Sequence, residues 1–175
     1  KLELRPLLMD KNDDRDELKG VILSFLWPDL IGIQELLSYL TPPKDDNFLG
    51  SYGTFLVYNF GVNLKMEDLN FSLRWARENI NKINPHGKLF DVIDSIIEKS
   101  WPHLSDKDIL NEFSLIVLKK LEDHRDIVEN YDNSNLKEKF IKDLDTRKKI
   151  FINLLYILSP EEIEKIHFTI LFPLI

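Results

Sequence analysis

The residues best suited to chemistry are scattered, and each candidate constellation breaks at a defined position. A helix-borne zinc site needs two histidines one turn apart, as in H-E-x-x-H. The four histidines, His86, His103, His124 and His167, never stand at that spacing. His124 lies among Glu122, Asp123 and Asp126, a set able to hold a metal weakly, but it reads better as a charged loop at a helix end. His167 sits near an apolar stripe and reads as a partly buried, hydrogen-bonded side chain. Asp10, Asn12 and Asp14 alternate like the first three oxygen ligands of a calcium loop. The sixth position is Arg15 instead of Gly and the twelfth is Val21 instead of Glu, so that cage cannot close. Gly87-Lys88 is the one Gly-Lys pair, yet Lys82 stands where a phosphate-binding loop needs its first Gly, and Leu89 stands where it needs Ser or Thr. No G-x-S-x-G elbow exists. The carboxylate pairs Asp45/Asp46, Asp143/Asp145 and Glu161/Glu162 read as a loop, a solvated helix face and a helix start. No catalytic, cofactor-binding or metal residue is assigned, and the chain is expected not to be an enzyme.

Composition narrows the classes further. The 175 residues carry a formal net charge of −7, which disfavours a phosphate-binding surface and so nucleic-acid partners. The basic run Lys137, Lys139, Lys142, Arg147, Lys148 and Lys149 is interleaved with acids, the mark of a solvated helix face. Absence of cysteine removes thiol chemistry and thiolate metal sites, and suits a cytoplasmic protein. No run approaches the ~20 apolar residues of a membrane span. Hydrophobic residues at 43% argue for a globular chain, and 6 glycines are too few for a turn-dense β fold. Lys1 and Ile175 read as cut ends of a longer protein.

The elements that must position these residues are helices. Leu18, Val21, Ile22, Phe25 and Leu26 form a stripe behind the acids Asp13, Asp14 and Asp16, which can cap free amides, and Pro28 stops it. A short helix is expected over Gly32–Leu40, ended by Thr41-Pro42-Pro43, then a polar loop over Lys44–Phe48. Another is expected over Ser51–Asn59, closed by Gly61. Leu69, Leu73, Ala76 and Ile80 mark a longer one ending near Asn84-Pro85. Leu89, Val92, Ile93, Ile96 and Ile97 mark the next, ending at Trp101-Pro102. Ser105 and Asp108 have the S-x-x-D form of a helix start ahead of Ile109, Leu110, Phe113, Ile116, Val117 and Leu121. His124–Asn135 reads as a loop. Leu136, Phe140, Ile141 and Leu144 continue a stripe into Ile150, Phe151, Leu154, Leu155 and Leu158, readable as one long helix. Ser159-Pro160-Glu161-Glu162 then restarts it with a capping box. No strand pair is found, so the fold class is all-α. Trp27-Pro28 and Trp101-Pro102 each close one helix before another, which hints at stacked hairpins.

A set of short motifs adds to this. Leu4-Arg5-Pro6-Leu7, Asp16-Glu17-Leu18-Lys19-Gly20, Leu26-Trp27-Pro28-Asp29 and Glu35-Leu36-Leu37 are followed by Leu40-Thr41-Pro42-Pro43-Lys44 and Asn47-Phe48-Leu49-Gly50-Ser51-Tyr52. Glu67-Asp68-Leu69 and Leu73-Arg74-Trp75 complete the set. In that order, over roughly the first 80 residues, they resemble the helical segment of large bacterial NACHT-type ATPases, members of the signal-transducing STAND NTPases. The resemblance implies a multidomain switch in which ATP and Mg²⁺ bind elsewhere in the parent chain, and some relatives act in phage defence. This chain would be a regulatory or sensor array that contacts other domains of the same chain, a protein trigger or another copy.

The expected architecture is a HEAT-like stack of hairpins over 1–175, divided at 83/84. Truncating Leu18, Val21, Ile22 or Trp27 is expected to cost ~2–5 kcal/mol. Two rival readings are a self-contained helical adaptor and a small enzyme with a dispersed acid/base site in a deep pocket.

Overall fold

Apolar residues spaced three and four apart become helices throughout the described part of the chain, and no strand occurs there. The computed structural model describes residues 2–122, 138 and 140–166. They fall into two compact units, Lys1–Lys99 and Ser100–Ile175. The loop expected over His124–Asn135 and the apolar tail from Phe168 lie outside the described residues.

The first unit opens with a 3₁₀ segment, Leu2–Met9, followed by α1 (Glu17–Leu26) and α2 (Ile33–Tyr39). Next comes a continuous helical stretch made of α3 (Gly50–Thr54), a π-helical turn (Phe55–Asn59) and α4 (Phe60–Val62). Helices α5 (Met66–Asn79) and α6 (Lys88–Ser100) complete it, the last residue of α6 crossing into the second unit. Contacts between helices advance together. Glu17 meets Ser51, Gly20 meets Tyr52 and Ser24 meets Asn59, so α1 and the stretch 50–62 run in the same sense. Gly53 faces Lys88 and Gly61 faces Ser95, so α6 continues that row in the same sense. The return helices α2 and α5 pack on each other. Leu23, Leu36, Phe55, Leu56, Phe60, Leu73, Ile93 and Ile96 form the centre of the unit, each fully buried.

Several expectations change here. α1 buries Lys19, Gly20, Ile22, Leu23 and Leu26, whereas Leu18, Val21 and Phe25 are exposed. α1 is apolar on more than one face, so periodicity fits two orientations. Gly20 decides between them, because a Cβ there would overlap the backbone of Ser51 and Tyr52. Gly61 lies inside α4 instead of closing it, where its missing side chain admits Ser95. α5 ends at Asn79, before the Asn84-Pro85 break. That break, where the sequence suggests a division, lies inside the first unit, because α6 packs back on what precedes it. Trp27, stacked on Phe60 at 6.4 Å, closes α1 as expected, and the Trp27–Pro28 bond is cis.

The second unit holds a 3₁₀ turn (Trp101–His103), α7 (Lys107–Glu122), helical residues at 138 and 140–142, α8 (Leu144–Ile157) and α9 (Pro160–Lys165). Trp101 meets Phe113 and Phe140 edge-on, each at 6.0 Å. α7 starts one residue later than the S-x-x-D pattern suggests. Its amides at Asp108 and Ile109 donate to Asp106 Oδ1 at 2.9 and 3.2 Å, so Asp106 is the cap, not Ser105. The single long helix drawn through Leu144 is broken at Asp143, which caps α8 through Thr146. Ile141, Leu144 and Leu155 consequently point outward, while Ile150 and Leu154 are buried. Lys149 Nζ donates to the Leu104 carbonyl at 2.6 Å, and Asn153 Nδ2 to Ser114 Oγ at 3.1 Å, so α8 follows α7 in the same sense. α9 starts as read, with Ser159 and Glu162 in a reciprocal capping box.

Candidate functional site

Among the acids weighed as chemistry, Asp46, Asp143 and Glu162 bond at helix starts, and Asp10 and Asp45 close local turns. Asp10 accepts from the Asn12 amide and side chain, closing a local turn. Asp13 Oδ2 accepts from the Lys19 amide in the first turn of α1, at 2.9 Å. Glu17 reaches across and takes Ser51 N (2.9 Å) and Ser51 Oγ (2.7 Å), capping α3. Gly50 is needed beside it: its φ is +38°, and a Cβ would overlap the Glu17 carboxylate. Asp45 Oδ1 accepts from Asn47 N, and Asp46 Oδ1 from Lys88 N at 3.3 Å. Asp46 therefore supplies the negative charge favoured at the N-terminus of α6, at Gly87-Lys88. Asp143 takes Thr146 N and Thr146 Oγ1, and those bonds hold its carboxyl below the usual range. His86 is on an exposed turn and His103 in the turn after α6; the other two histidines lie outside the described residues. No group of three His, Asp or Glu side chains able to hold a metal occurs among the described residues. No described helix is long and apolar enough to cross a membrane.

Sequence reasoning missed a node built around Lys19, which is 4% exposed on the buried face of α1. Its Nζ donates to Thr41 Oγ1 at 2.6 Å and lies 4.3 Å above the Tyr52 ring. Tyr52 OH in turn donates to the Thr41 carbonyl (2.7 Å) and accepts from the Thr41 amide (3.0 Å). Asp16, left-handed at φ 58° and buried, accepts from Lys44 N at 2.8 Å, with Lys44 Nζ 3.6 Å away. Lys44 Nζ also donates to the Asp13 carbonyl. Burial lowers the Lys19 pKa from 10.5 to about 8 against the opposing pull of Asp16, and burial raises that of Tyr52. Enclosed and doubly held, Lys19 acts as a clasp: it joins α1, the Thr41–Lys44 loop and α3. The missed signal was Lys19 next to Gly20, a lysine carried inward by the glycine that sets the helix crossing.

The outer surfaces are of another kind. A groove of about 570 Å³ follows the seam between α1 and α3, lined by Glu17, Val21, Ser24, Leu49, Gly50, Ser51, Thr54 and Asn59. Leu18, Phe25, Leu49 and Tyr58 are exposed on the helices and loop that border it. In the second unit a groove of about 320 Å³ is lined by Leu110, Asp145, Lys148, Lys149, Ile152, Asn153 and Tyr156. Its apolar side chains Ile152 and Tyr156 are at least half exposed. Both grooves combine exposed apolar side chains with polar edges.

No protein-family model matches the chain, and no curated protein or solved structure matches it.

Proposed function

We propose that this chain is a non-catalytic helical regulatory or sensor segment of a larger cytoplasmic, ATP-dependent STAND-type NTPase, arranged as a HEAT-like array. The observation that carries the reading is that five of the motifs behind the resemblance contact one another across helices, in two sets. Arg5 pairs with Glu35 through Nε–Oε1 (2.7 Å) and Nη2–Oε2 (2.8 Å), joining the first and fourth motifs. Glu17, Lys19 and Gly20 of the second motif meet Ser51, Thr41 and Tyr52 of the fifth and sixth. A motif set of this kind specifies how successive helices stack, which is the work of an array. Same-sense rows of helices with return helices packed on each other support the array, and the exposed apolar faces support a role in contacting protein.

ATP and Mg²⁺ would be handled by other domains of the parent chain. Reading the coding sequence through both ends tests this. The expected result is a G-x-x-x-x-G-K-[ST] loop after a strand upstream, and further amphipathic helix pairs downstream. A parent chain without that loop would overturn the NTPase assignment and leave a free-standing helical adaptor.

A further inference from the structure

We draw no further inference here: the strongest candidate, the exposed apolar faces of α1 (Val21 and Phe25) and α8 (Ile152 and Tyr156) beside the two grooves, carries nothing because nothing in the structure shows what covers them.

Discussion

At the residue scale, acid placement is the organising fact. A chain of net charge −7 uses Asp13, Glu17, Asp46, Asp106 and Asp143 at free helix amides, where the helix dipole favours negative charge. Lys19 is the converse case, a cation held inside at a cost. Its folded pKa of about 8 lies below the ordinary 10.5, so between those values the unfolded chain binds more protons than the folded one. Stability therefore rises with pH across that window, and below it the penalty is fully present. Urea midpoints measured from pH 7.5 to 9.5 should rise more for the wild-type chain than for Lys19→Met, which lacks the titrating group. Parallel curves would show that Lys19 is not charged and buried as described. Working below pH 10 keeps Tyr52, whose raised pKa acts in the opposite sense at higher pH, out of the measurement.

Among the elements, α1 shows how a helix apolar on several faces is oriented by one small residue. The structure reverses part of the expected mutational pattern. Ile22→Ala and Trp27→Ala should each cost ~2–5 kcal/mol, because both side chains are buried. Leu18→Ala and Val21→Ala should stay within ~0.5 kcal/mol, since both are exposed. Equilibrium urea denaturation of the four variants separates the two pairs, and a large loss at Val21 would mean α1 turns its other face inward. α8 repeats the lesson. Its helix signal is clear in sequence, but the break at Asp143 rotates Leu144 and Leu155 outward, and only Ile150 and Leu154 reach full burial.

For the whole molecule, two compact units each carry their own core, one centred on Leu73, Phe55 and Ile96, the other on Phe113, Ile116 and Ile150. A core of its own makes each unit a natural cooperative unit. Leu73→Ala should cost ~2–5 kcal/mol and Phe113→Ala ~3–5 kcal/mol. Native-state amide exchange should show the first loss in α2 and α5 and the second in α7 and α8. Uniform acceleration along the chain in both variants would show one cooperative core instead.

The sequence by itself determined the helical class, most helix boundaries and the capping box at Ser159, because each is set by spacing and residue type within a few positions. The tertiary structure decided which face of α1 is inside, that Asp46 fills the N-terminus of α6, and that Lys19 clasps Thr41 and Tyr52. Each joins residues distant along the chain. A one-dimensional pattern fixes what a helix offers on each face, and only the partner's position determines which face is taken.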